Sequence, residues 1–120
     1  MRRLAFLLAL LSGPAYAYCP PAERPPTAFD HPYPGKLVEK AVPLSQIPSL
    51  CAKLTGRYDQ SVSGCGFKVH VTEDGTPRGR PLETYGLIVY PTGCTAIRRH
   101  EIAHTNGWVH NHGREVLGAR

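Results

Sequence analysis

The spacing of apolar residues along this chain changes several times, and each change marks an element. Over residues 45–54, Ile47, Leu50, Cys51 and Leu54 stand at i, i+3, i+4 and i+7. That spacing is one face of a short helix, with Pro48 confined to its first turn and Gly56 placed to stop it. Over residues 66–72 the period drops to two. Phe67, Val69 and Val71 alternate with Lys68, His70 and Thr72, which predicts a half-buried strand with His70 on its polar face. Gly75, Pro77, Gly79 and Pro81 then form a turn cluster, and residues 85–90 are a short apolar run, so a β-hairpin with a long loop is the simplest joining. Pro91, Thr92 and Gly93 close the second strand. From Thr95, a fair N-cap, a second helix runs to His104, with Ile97, Ile102 and Ala103 available to the core. Gly107 follows as its C′ glycine, and Asn106 belongs to the same helix stop because Asn tolerates the left-handed conformation.

These elements are too few for anything but one small α+β domain with a short N-terminal helix, a β-hairpin or small antiparallel sheet, and a C-terminal helix. Composition agrees. In 120 residues there are 12 Gly and 12 Pro but only 8% aromatics, which favours a loop-rich body over a helical bundle and leaves no room for a second domain.

The first apolar run has another meaning. Arg2 and Arg3 precede the apolar residues 4–11, and Ala15-Tyr16-Ala17 is a small-x-small site, the three parts of a secretory signal peptide. Residues 1–17 are therefore expected to be removed, leaving an exported protein, periplasmic or extracellular, with no stable membrane anchor. A lipid on Cys19 is the rival reading, disfavoured by the bulk of Tyr18. Loss of Arg2 and Arg3 lowers the net charge of +5 to +3. No clustered basic patch speaks for nucleic-acid binding.

Export also changes how the cysteines read. Cys19, Cys51, Cys65 and Cys94 all follow the leader, and an oxidising compartment would pair them into two disulfides. Four cysteines allow three pairings, and spacing selects none. The absence of a C-x-x-C knuckle disfavours a zinc site built from the cysteine quartet. Residues 18–41 read as a Pro-rich extended arm, dense in Pro from Pro20 to Pro34, ahead of the domain at 42–120. The arm could be a disordered leader, a strap pinned through Cys19, or a pro-segment over a site, with Cys19 itself a conceivable zinc ligand.

Candidate chemistry is concentrated near the C-terminus. The second helix carries His100-Glu101-x-x-His104, and four of the six histidines lie between 100 and 112. Residues i and i+4 share a helix face, so two imidazoles can converge on one ion while Glu101 stands beside the first. In hydrolases with this spacing the bound Zn2+ acidifies water and the carboxylate takes its proton. His110 would complete H-E-x-x-H-x-x-G-x-x-H, the metzincin spacing, but that pattern expects a downstream methionine turn and the only Met is Met1.

The stretch 100–112, read as H-E-x-x-H-x-N-G-W-x-x-x-H, resembles a group of small exported bacterial proteins that look like minimal zinc peptidases of the zincin type. The resemblance implies a minimal zincin-like domain over residues 42–120. It implies His100, His104 and His112 as zinc ligands, with His110 the alternative third ligand, and Glu101 as the catalytic base. It also implies a metallopeptidase acting on a peptide or protein substrate. Two alternatives stand beside it: a non-catalytic zinc-binding interaction module, and a zinc amidase acting on cell-wall peptides. Of the neighbouring residues, Trp108 is expected as a core anchor with a lesser claim on a substrate subsite, and Arg98 and Arg99 as solvated cations. Tyr85 and Tyr90 are weak candidates for an oxyanion donor.

Overall fold

A computed structural model describes residues 18–109. The leader at 1–17 and the two candidate third ligands, His110 and His112, lie outside the described residues.

Among the described residues the body is an α+β domain of three strands and two α-helices. Strand β1 (Leu37–Val42), helix α1 (Ile47–Thr55), strand β2 (Cys65–Thr72), strand β3 (Pro81–Pro91) and helix α2 (Thr95–Thr105) follow in that order. The sheet order is β1-β3-β2. β2 and β3 form the expected antiparallel hairpin, and β1 lies parallel to β3 on its other side. The sheet is therefore mixed. The third strand falls among residues that composition assigns to the arm, and its pattern hides it. Glu39, Lys40 and Ala41 are all exposed, as suits an edge strand protected by charge, so no clean alternation shows in the sequence.

Helix α1 begins two residues later than the periodicity suggests, after a single 3-10 turn at Leu44–Gln46. Pro48 sits in its first turn, and Gly56 ends it with φ +78°, a left-handed conformation that Gly adopts without steric cost. Ile47 and Cys51 are buried against Val89 of β3, whereas Leu54 at the helix end is exposed.

Pleating separates the two helices. Successive side chains of a strand point to opposite faces. Val89 faces α1, so Gly86 and Ile88 face the other way, towards α2. There, a Cβ on Gly86 would meet the side chain of Thr105, and one on Gly66, the partner of Ile88, would meet the backbone of Glu101. The glycines let α2 lie almost directly on the sheet. Ile88, Ile97 and Ala103 are fully buried or nearly so on this side.

Two disulfides close the fold, Cys51–Cys65 between α1 and β2, and Cys19–Cys94 between the arm and the start of α2. The Cys19 sulfur is thus in a disulfide, which overturns both the lipid and the zinc-ligand readings of that residue. Cys94, with its side chain committed to the bridge, is the N-cap of α2, and the expected cap Thr95 is the first helical residue. Two disulfides point to an oxidising compartment. Among the described residues no helix is long and apolar enough to cross a membrane.

Candidate metal centre

Helix α2 brings His100, Glu101 and His104 together. One ligand atom from each lies within 4.8 Å of the others, a group that could hold a metal ion. The Nε2 atoms of His100 and His104 are 3.2 Å apart. Glu101 is buried, and its Oε1 is 3.9 Å from His104 Nε2.

Each imidazole is oriented by a main-chain carbonyl. His100 Nδ1 is 2.7 Å from the carbonyl oxygen of Glu23, and His104 Nδ1 is 2.7 Å from that of Trp108. A carbonyl can only accept, so both contacts require Nδ1–H, which assigns the tautomer and puts the lone pair of each ring on Nε2. Two such lone pairs facing each other across 3.2 Å repel unless positive charge lies between them.

The carbonyl of Trp108 reaches His104 because of how α2 ends. Gly107 has φ +106°, its N–H donates to His104 O at 3.1 Å, and the next N–H, of Trp108, donates to Ala103 O at 3.0 Å. This pair of bonds is the Schellman ending, and the left-handed glycine within it turns the chain back over the last helical turn. Trp108 is buried as expected of a core anchor, but it does more than fill space. Its ring stacks on His104 at an interplanar angle of 10° and meets His100 edge-on, with both centroids 5.0 Å away. Asn106 does not take the left-handed conformation expected of it. It closes the helix with φ −82°, and its side-chain amide donates to Phe29 O and His31 O in the arm.

The Glu101 carboxylate packs against Gly64. A Cβ at that position would lie 2.7 Å from Glu101 Oε2 and 3.0 Å from the Val89 carbonyl oxygen. Neither Gly64 nor the Glu23 carbonyl is legible as a functional element in the sequence. The first is one glycine among many in a loop-rich chain, and the second is a backbone atom whose place depends on the path of the arm.

The remaining candidates are engaged elsewhere. Arg98 makes a bidentate pair with Glu39, at 2.6 and 3.1 Å, and Arg99 makes another with Asp30. Neither arginine is simply solvated. The guanidiniums hold both carboxyls below the ordinary carboxylate range, and each arginine is raised in turn. Tyr90 donates its hydroxyl to Glu39 at 3.1 Å, and burial together with this bond raises its pKa. Tyr85 shares the sheet face of Val89, away from α2, with Lys36 5.5 Å above its ring. Neither tyrosine is offered to the metal group as an oxyanion donor. His70 is exposed on the hairpin, as its alternation requires, beside Thr84.

No protein-family model, no curated protein and no solved structure matches this chain. The functional reading therefore rests on the geometry of the site itself.

Proposed function

We propose that the protein is an exported zinc-dependent hydrolase of the zincin type, most simply a metallopeptidase. The observation that carries this reading is the 3.2 Å separation of the two Nε2 atoms with both Nδ1–H groups engaged. Two imidazole nitrogens bound at about 2.0–2.1 Å to one tetrahedral ion stand about 3.3–3.4 Å apart, so the pair is set for such an ion with almost no movement. Carbonyl partners on the far ring nitrogens are also the usual support of histidine ligands. The third protein ligand in this reading is His112, with His110 as the alternative, both beyond the Schellman turn at Gly107 that folds Trp108 back over the last turn of α2.

Bound there, zinc would lower the pKa of water and polarise a substrate carbonyl. The chain supplies the proton handling. The Glu101 carboxylate takes the proton of the attacking water and returns it to the departing amine. Its neighbour Gly64 leaves room for the carboxylate beside the histidines, and the wall formed by Trp108 holds both rings in register. A purely structural ion has no use for a carboxylate at that point, which favours turnover over the non-catalytic module.

Zinc analysis of the mature protein, with peptide-library and cell-wall peptide assays on the same sample, tests the proposal. We expect bound zinc in wild type and in Glu101→Gln alike, with turnover lower by about 10²–10⁴-fold in the variant. His112→Ala should lose more zinc affinity than His110→Ala. Full zinc with no turnover on any substrate would reject the hydrolase and leave the interaction module. Cleavage of cell-wall peptides alone would assign the amidase.

A further inference from the structure

The Pro-rich arm does not hang from the domain. It runs the length of α2, in the same direction as the helix, and is fastened at successive points. Cys19 is bonded to Cys94 at the helix N-cap, and the Glu23 carbonyl meets His100. Pro25 is buried, and Asp30 pairs with Arg99. The carbonyls of Phe29 and His31 accept from Asn106 at the helix end. Prolines at this density remove backbone donors and block ladder formation, so residues 18–34 of the arm, ahead of β1, join no strand and owe their path to these fastenings.

We propose that the arm is a built part of the metal centre: the Glu23 carbonyl positions His100 as a ligand, and the Cys19–Cys94 disulfide holds that carbonyl in place, so that tight metal binding belongs to the oxidised chain. The inference rests on the metal-site reading above but not on turnover. The two histidines differ in how they are supported. His104 takes its carbonyl from Trp108, four residues away in the same helix ending. His100 takes its carbonyl from a residue 77 positions away in sequence, whose place is set by tertiary structure alone. Glu23 is four residues from Cys19, and four extended residues reach at most about 14 Å, so the disulfide confines the carbonyl to the neighbourhood of α2. Without the bridge, the covalent tie between Cys19 and the start of α2 no longer confines it.

The bridge forms when the Cys19 and Cys94 thiols each give up a proton and an electron to a disulfide oxidant, which leaves as two thiols. Before that step, in a reducing compartment, no bridge holds the Glu23 carbonyl against His100. The ligand pair would therefore be completed only after export, which would keep the site from loading in the compartment of synthesis.

The test is the zinc affinity of the mature protein, measured by competition with a chromophoric zinc chelator, for wild type, C19S/C94S and D30N/N106A, the last keeping the disulfide but loosening the arm. Loss of a second-sphere partner weakens metal binding by about 10–100-fold, and we expect a fall of that order for C19S/C94S. D30N/N106A should move in the same direction. Nitrogen NMR of the imidazoles gives an independent reading. In both variants His100 should lose its fixed Nδ1–H tautomer, whereas His104, supported within α2, should keep it, a selectivity that general unfolding cannot produce. Should C19S/C94S fail to fold, D30N/N106A decides the matter alone. Zinc affinity equal to wild type in a folded variant, or loss of both tautomers together, overturns the role of the arm. A wild type that takes up no zinc overturns the metal centre itself, a different result.

Discussion

Gly64 and Glu101 are packed so closely that a methyl group on the glycine would stand 2.7 Å from the carboxylate oxygen Oε2. The carboxylate lies at the end of a flexible side chain, so Gly64→Ala should displace it most, with Ile97 Cγ2 and the Val89 carbonyl oxygen, each at 3.0 Å, giving way by far less. If Glu101 is the base of the proposed hydrolase, its misplacement by about 1 Å can cost about 10²-fold in rate, and a loss of that order in kcat is expected, with bound zinc unchanged. Zinc content and steady-state kinetics on the same preparation would show it. Parallel loss of zinc and activity would mean that Gly64 supports the ligands and not the base.

Gly66 makes a different prediction. Its added Cβ would run into the carbonyl oxygen of Glu101, which is backbone and cannot swing aside. Gly66→Ala must therefore push α2 off the sheet, and overpacking of this kind costs about 1–3 kcal/mol. Denaturant unfolding should register that loss, and an unchanged midpoint would show that the helix can shift freely.

The Cys51–Cys65 bridge joins residues 14 apart in sequence, from α1 to the start of β2. On the chain-entropy model a loop of this size contributes about 3 kcal/mol, so C51A/C65A should lose about 2–4 kcal/mol of unfolding free energy. Peptide mapping of the oxidised protein should recover the pairs 19–94 and 51–65. Any other pairing would contradict the fold on both faces of the sheet.

Glu39 joins β1 to α2 through Arg98 and accepts from Tyr90. Chiefly because of the Arg98 hydrogen bonds, its carboxyl is held below the ordinary value of 4.5. A carboxylate with a depressed folded pKa contributes fully above its unfolded value, and the contribution is lost as pH falls through the folded one. The stability difference between wild type and Glu39→Gln should therefore be constant above about pH 5 and shrink on acidification below the ordinary range. Both side chains are more than a third exposed, so solvent screening limits the plateau to about 1 kcal/mol or less. A difference that grew on acidification would reverse the assignment.

Much of this architecture is written in local pattern. Helix α1, the β2–β3 hairpin and α2 each follow from periodicity bounded by Pro or Gly. The convergence of His100 and His104 follows from their i, i+4 spacing on one helix, because the helix alone sets the distance between those side chains. The Gly107 stop is local too, since it needs only a residue free to adopt positive φ.

What sequence reading misses depends on contacts between distant segments. Strand β1 becomes a strand by pairing in parallel with β3, and a parallel partner arrives only after α1 and β2 have been crossed. Its charged edge residues carry no alternating signal of their own. Arg98 and Arg99 read as solvated cations because their partners, Glu39 and Asp30, stand 59 and 69 positions away.

The sequence by itself determined the helix that presents two imidazoles and a carboxylate, the turn that ends it, and the supply of four cysteines. Only the tertiary structure decided which cysteines pair, that the Pro-rich arm lies along α2, and that a backbone carbonyl from that arm meets His100. The physical reason is that helix geometry fixes side chains a few residues apart, whereas a hydrogen bond or disulfide between distant residues depends on where packing brings the chain back.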